Sequence, residues 1–288
     1  VLDYPYVSAA EFRAHPTFLD SNNLRTGHTQ PEQDAALINI LLEASQWADD
    51  KVFGAHGTLA AHVRTEHARL TPDRNGRLRY HPEHAPVIAV TSMAIGMSPD
   101  TLDAQADPQV WTEHDGRVIV AFNPSSGQGL NSLQFGYPAV GFEQLVSWTY
   151  VAGFPSTQLA EPAEATATSI EVRDATGIAA GTVLRLWTPG LEEAVTVASV
   201  AGEVLGLARP LTNAHPAGST CSALPTTVRQ AVINYAVMLL MRPASTAESN
   251  TGRGPSTTST SGDSRRTGRA TFLYDDACKL LKPYKRIR

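Results

Sequence analysis

A helical hydrophobic pattern that stops near residue 53 and resumes only at Thr227 constrains this chain more than any other feature. In the first stretch, residues 31–53, Leu37, Leu41, Ala44, Ala48 and Val52 recur at helical spacing. Ile38, Leu42 and Trp47 widen that stripe, so burial on two sides is expected. In the second, residues 226–243, Val228, Ala231, Val232, Tyr235, Met238 and Leu239 form one stripe. Each stripe needs an apolar partner. The pairing expected is Leu37, Leu41, Trp47 and Ala48 against Val228, Val232, Tyr235 and Leu239. The residues between read as strands. The fold class expected is therefore α+β, with two long paired helices as its core.

Local signals fill in the rest. Ser8-Ala9-Ala10-Glu11 reads as a capping box opening a short helix, and residues 22–28 as a polar break. Thr29-Gln30-Pro31-Glu32 is a second capping box, and Gly54 and Gly57 end the helix it opens. TLAAHVRTEHARL is expected as a strand with Leu59, Ala61 and Val63 on one face. Val87 to Ile95 is a strand rich in β-branched residues. VWTEHDGRVIVAF reads as a hairpin, because Asp115-Gly116 supplies the positive-φ positions of a tight turn. Residues 123–143 form a long Gly- and Pro-containing loop, of the kind that is often functional. Leu145 to Gly153 is a further strand. These segments make residues 1–160 the N-terminal part of the core. AEPAEATATS then reads as a linker. IEV, TVLRLW, AVTVASV, VLGL and STCSAL alternate with turn sequences, so residues 165–224 are expected to form an inserted small β barrel or sandwich.

The C-terminal segment is unusual. Residues 244–270 form a Ser/Thr/Gly-rich spacer whose composition favours flexibility. After it the chain turns apolar and ends in LLKPYKRIR. A segment so short cannot build its own core. Leu273, Leu280, Leu281, Tyr284 and Ile287 must pack on the rest of the chain or on another protein. With the basic Lys285, Arg286 and Arg288 they read as a docking arm, residues 271–288. Charge is skewed in the same direction. The net charge is -5, yet from Arg253 onward nine basic and three acidic residues give +6, leaving -11 for the remainder (14 basic minus 25 acidic). A dedicated nucleic-acid binder would spread basic residues over its folded body. Here only the end is basic, and its interleaved apolar residues favour a protein partner over phosphates alone.

No apolar run is long enough to span a membrane, and VLDYPYVSAAEFRAH lacks a signal-peptide pattern. A start at Val1 is expected to reflect a processed N-terminus. Two cysteines, Cys221 and Cys278, are too few for a disulfide framework, and a reducing compartment is the simpler reading. Signals for catalysis are thin. His56, His62 and His67 are scattered over a glycine turn and a strand pattern. His81-Pro82-Glu83-His84 sets two histidines beside a carboxylate, but Pro82 breaks the helix that an HExxH zinc site needs, and the order is wrong. Exposed loop histidines are the expectation, with no metal, cofactor or catalytic residue. SSGQGLNS lacks the lysine and strand-to-helix setting of a phosphate loop. Asp49-Asp50 and Asp275-Asp276 read as helix-surface carboxylates, and Trp47, Trp111, Trp148 and Trp187 as core.

The order of these segments resembles the head-to-tail connector (adaptor) proteins of long-tailed bacteriophages. The pieces that carry the resemblance are PEQDAALINILLEASQWADDKVFG as first long helix, TEHARL after it, APVIAVTSM as the strand following a proline turn, LVSWTYVAGFPSTQLA, VRQAVINYAVMLLMRP as second long helix, and LLKPYKRIR as terminal arm. Together they cover somewhat over a third of the chain. The β domain, the loop at 123–143 and the spacer have no counterpart among them. The resemblance implies a virion structural protein without enzymatic activity, forming a dodecameric ring in the head–tail neck after assembly in the host cytoplasm. Its implied partners are the portal protein, neighbouring copies, and a tail or stopper protein. The β domain would face outward, towards the major capsid protein, a neighbouring copy or a tail component. Double-stranded DNA would pass through the channel, which an acidic body favours because a cationic lumen would grip phosphates. Two other classes remain open: a tail terminator or minor tail protein, and a glycan-binding or hydrolytic protein using Trp187 and Glu192-Glu193 on its β module.

Overall fold

The structure, a computed structural model, describes residues 2–17, 19, 24, 29–54, 57–73, 77–104, 109–112, 118–121, 143–241 and 261–285; at 109, 111–112, 120–121 and 261–270 it describes the backbone only. The Asp115-Gly116 turn, His56, the polar break apart from Leu24, the loop at 123–142 with SSGQGLNS, spacer residues 244–260, the Trp111 side chain, and Arg286, Ile287 and Arg288 lie outside that description. The fold is mixed α+β. Two compact units divide the chain. The first comprises residues 1–59, 156–175 and 179–288, and the second 60–155 with 176–178. This differs from the expected boundary near residue 160, because the β module folds together with the helices.

Every α-helix among the described residues belongs to the first unit. Helix α1 (Ala9–Ala14) starts where the Ser8 hydroxyl accepts the Glu11 N–H. The Glu11 carboxylate does not close the expected box; it points to two arginines described below. Helix α2 (Gln30–Phe53) starts with the Glu32 carboxylate accepting the Thr29 N–H at 2.7 Å and stops at Gly54, whose φ of 75° suits glycine. Its buried face is Gln33, Leu37, Leu41, Ala44, Ser45, Ala48 and Asp49. Ile38, expected in the buried stripe, is 38% exposed; one helix face is covered there, not two. Helix α3 (Thr226–Met241) is buried almost all round, from Val228 through Met238 with Thr227 and Gln230 half-buried, which accounts for its nearly unbroken apolar text. Helix α4 (Ser261–Leu281) closes with a turn of 3-10 helix, Lys282–Tyr284.

The rest of this unit is a β module, with strands numbered along the chain. They are β8 (Ser156–Gln158), β9 (Ser169–Glu171), β10 (Val183–Thr188), β11 (Leu191–Ala201), β12 (Val204–Leu207) and β13 (Thr220–Ser222), paired in the order β8-β13-β10-β11-β12-β9. Leu159 bridges Val172, with Ala160 N–H donating to the Glu171 carbonyl and Arg173 N–H to that of Gln158. The two ends therefore meet, and the ladder closes as a six-stranded barrel with no free edge. The five strands expected from sequence are all present. The sixth, β8, precedes the expected linker, so the module begins before residue 165. Leu184 and Leu186 on β10, Val195 and Val197 on β11, and Leu205 and Leu207 on β12 alternate inward and are buried.

The second unit holds two antiparallel sheets. The larger has the order β1 (His62–Leu70), β7 (Gln144–Ala152), β3 (Val87–Gly96), β4 (Asp103–Ala104); the smaller has β2 (Arg77–Tyr80), β6 (Val118–Ala121), β5 (Gln109–Thr112). The expected hairpin appears as the β5–β6 pair, with Thr112 opposite Val118. Strand β7 alternates strictly, burying Val146, Trp148, Tyr150 and Ala152, and these meet Met93 of β3, Leu78 of β2 and Val118 of β6 in one cluster. In β1 the expectation fails. Val63 is 60% exposed, and the residue this strand buries is Glu66. A charged residue takes the inward position because partners await it: Tyr150 OH donates to Oε1 and Tyr80 OH to Oε2 at 2.7 Å, and the Glu83 N–H lies 3.2 Å from both oxygens. Burial first, then the contact with Glu66, raises the Tyr150 hydroxyl far above its ordinary range, so it stays a donor.

Candidate functional site

Of the residues expected to act in docking, Leu273, Leu281 and Tyr284 lie on the side of α4 and its closing turn that packs on the helices of the first unit. Helix α4 is not a free arm. Leu273, Ala277 and Leu281 stand at i, i+4 and i+8, a single helix face. Ala277 and Leu281 are fully buried and Leu273 is half-buried. The Tyr284 hydroxyl lies 2.7 Å from that of Thr227, and Asn234 Nδ2 donates to Asp276 Oδ2 at 2.7 Å. Residue 284 thus meets 227 and residue 276 meets 234, so α4 runs antiparallel to α3. The spacer expectation is corrected in part: residues 261–270 are helical. So is the arm: Leu281 is packed inside its own chain, because a helix with one apolar seam beside an apolar α3 buries that seam locally. Leu280 is half-buried, and Lys279, Lys282 and Lys285 are exposed, as is Phe272 at 67%.

An aromatic seam joins the three helices. Trp47 stacks on Tyr235 with ring centroids 4.0 Å apart and planes 4° apart, and Tyr274 tilts against both at 5.8 and 6.3 Å. Lys51 Nζ donates to the Tyr274 hydroxyl at 2.9 Å, a bond that raises the Lys51 ammonium above its usual value. Of the residues expected at a helix–helix contact, Leu37, Leu41, Ala48, Val228, Val232 and Tyr235 are buried, while Trp47 and Leu239 are half-buried. Helix α3 packs more extensively on α4 than on α2, so of the two outcomes that the apolar residues 273–284 left open, packing on the rest of the chain is the one seen.

Three polar networks were not legible in the sequence. Asp49, expected on a helix surface, is 4% exposed and accepts from the Tyr6 hydroxyl at 2.6 Å and the Leu59 N–H at 2.8 Å. Burial raises its carboxyl to about 6, against the lowering effect of those donors. Ser45 Oγ accepts the Tyr6 N–H and donates to the Leu41 carbonyl, so α2 ties down the chain before α1. Second, Glu11 Oε1 receives Arg229 of α3 at 2.8 Å and Arg185 of β10 at 3.0 Å, coupling helix to barrel through a buried ion network. Arg185 also bonds Glu192, which lowers that carboxyl. Third, His215 is buried between the Glu193 carboxylate at 2.8 Å and the Thr188 hydroxyl at 2.8 Å, with Ser219 Oγ 2.9 Å from Thr188. Burial works to raise Glu193, but the N–H groups of Thr212 and Asn213 and the His215 ring outweigh it and hold the carboxyl low.

In the second unit, Glu66, Glu83 and His84 bring ligand-capable atoms within 4.8 Å of one another. The expectation of exposed loop histidines holds for His81 and fails for His84, which is 3% exposed. The carboxylate that completes this group comes from β1, far away in sequence. No helix among the described residues is long and apolar enough to cross a membrane. Compared with known proteins, the chain matches no protein-family model and no curated protein.

Proposed function

We propose that this chain is a virion structural protein, the head-to-tail adaptor that forms a ring beneath a phage portal and passes double-stranded DNA to the tail. The observation that carries this reading is the terminal helix. Its apolar seam is held against α3, which leaves Phe272, Lys279, Lys282 and Lys285 exposed on an otherwise acidic chain. A cationic, partly apolar end held in a defined place suits docking onto an acidic protein surface. In this reading α2 and α3 form the paired-helix core and the barrel faces outward towards capsid, neighbour or tail component. Copies assemble through a heterologous interface, one face of each meeting a different face of the next, twelve of them by the resemblance stated above.

The burial of Leu281 sets where the arm should be cut. Removing residues 282–288 spares the buried seam, and this truncated chain is expected to keep its helical content yet fail to join a portal ring prepared from the same virus. Native mass spectrometry and negative-stain imaging of the mixture read the result. Attachment unaffected by the truncation refutes the docking role. A full chain that neither oligomerises nor binds the portal refutes the adaptor reading and leaves the tail-terminator and minor-tail alternatives. The glycan-binding alternative has lost its supports: Trp187 is buried, Glu192 is held by Arg185, and Glu193 by His215.

A further inference from the structure

We infer that the larger sheet of the second unit is an interface between copies of this chain, with strand β1 of one copy pairing alongside strand β3 of the next. The choice of a second copy as occupant rests on the adaptor reading, which needs a heterologous contact. The sheet runs β1-β7-β3-β4. Among the described residues no strand pairs with the outer edge of β1 along its nine residues, His62–Leu70. On the other side β4 meets β3 only at Ala94 and Ile95, so residues 87–93 have no strand beside that edge among the described residues. Such edges present rows of backbone N–H and C=O groups to any strand that arrives.

Strand β1 lacks the features that protect natural edges. It keeps a regular register against β7 from end to end, without bulge, proline or lysine. Strand β3, VIAVTSMAIG, carries no charged residue and is rich in β-branched ones. A strand of that composition left bare is an association site. It does shift register against β7 twice, between Val87 and Ala89 and between Val90 and Ser92. Bulges bend a strand and increase its twist, and a sheet continued from copy to copy around a ring has to curve.

Direction and charge select the pairing. Strands β1 and β3 are each antiparallel to β7, so they point the same way, and a sheet continued into the next copy sets β1 parallel to β3. Laying His62 beside Val87 puts residues 62–68 along the open edge 87–93. Arg69 then arrives where β4 begins, beside Asp103 and the Asp100 of the 3-10 turn Pro99–Thr101, both exposed. The Arg69 guanidinium lies 4.0 Å from Glu143 of its own chain and keeps further donors for a second carboxylate. The formal charges that β1 brings towards solvent are Arg64 and Arg69, since Glu66 is buried. Two β1 strands paired antiparallel in full register would set Glu66 against Glu66, a repulsive pair.

The test measures association of the full chain by light scattering and native mass spectrometry. Arg69→Glu, and separately Asp100→Arg combined with Asp103→Arg, change exposed residues and should melt like the parent. Each is expected to weaken self-association at least about tenfold by setting like charges together. Mixed in equal amounts, the two variant chains should regain parental assembly, because alternating copies restore opposite charges at every contact. Proline is also placed at Arg64 or at Thr65. Consecutive residues send their N–H groups to opposite sides of a strand, so one of the two substitutions spares the β7 ladder, and that folded variant should not assemble. Parental assembly in both charge variants, or in the folded proline variant, overturns the proposal and leaves the adaptor reading standing. A loss confined to the Asp100 and Asp103 variant and unrepaired on mixing overturns it in favour of β3 edges paired with each other. A parent that stays monomeric overturns it as well, and one that also fails to bind the portal takes the adaptor reading with it.

Discussion

Replacing Asp49 with Asn should remove a pH dependence that runs opposite to ordinary acid denaturation. Asp49 is buried on α2, and that burial raises its carboxyl from the ordinary 3.8 to about 6. Between those values the folded chain holds a proton that the unfolded chain has lost. Stability from this group is therefore fully present below the unfolded value and declines as pH rises through the folded one. The full span corresponds to about 3 kcal/mol, and the part falling between about pH 4.5 and about pH 7 to roughly 2 kcal/mol. Asp34, Glu192 and Glu193 are lowered and push the other way, with stability lost as pH falls. Total stability alone is thus uninformative, and the difference between parent and Asp49→Asn isolates the group. Asn retains an oxygen for Tyr6 or Leu59 and has no charge to titrate. All α-helices of the described residues lie in the first unit, so helical ellipticity during urea unfolding reports on that unit. The parent should lose roughly 2 kcal/mol relative to the variant on going from about pH 4.5 to about pH 7. A difference that does not change with pH, or grows in the parent's favour, would refute the assignment of a buried, reluctantly ionised Asp49.

Three further outcomes follow from the packing. Glu11→Gln leaves Arg229 buried without its counter-charge and weakens the hold on Arg185; a loss of about 3–5 kcal/mol is expected in urea unfolding, with much of it regained when Arg229→Met is added. Leu281→Ala should cost about 2–5 kcal/mol, whereas Phe272→Ala, at an exposed position, should cost within about 0.5 kcal/mol; equal effects would mean that α4 is not seated as described. Cys221 is fully buried and its thiol is pushed up to about 12, so a thiol reagent should label it only after denaturant is added, as read by peptide mass spectrometry.

The sequence by itself determined what local periodicity encodes. Helices Gln30–Phe53 and Thr226–Met241, the alternating strand now called β7, the β5–β6 hairpin and five barrel strands are written in spacings of 3.6 or 2 and in turn chemistry, all of which act within a few residues. The aromatic residues Trp47 and Tyr235, expected at a helix contact, do stack. What the sequence left open depends on partners far apart along the chain. Glu11 reads as a capping residue until Arg185 and Arg229 arrive. Asp49 reads as a helix-surface carboxylate and Glu66 draws no notice, because nothing nearby shows that Tyr6 and Leu59, or Tyr80 and Tyr150, will meet them. Residues 261–270 read as spacer because their composition is rich in Ser, Gly and Thr, yet they are helical in continuity with the seated residues 271–281. Burial of a charge is settled by whether its donors arrive in three dimensions, and no local pattern contains that information. The tertiary structure alone decided that the terminal segment packs on its own chain, and that a histidine from β1 and another from the turn before β3 stand edge to face.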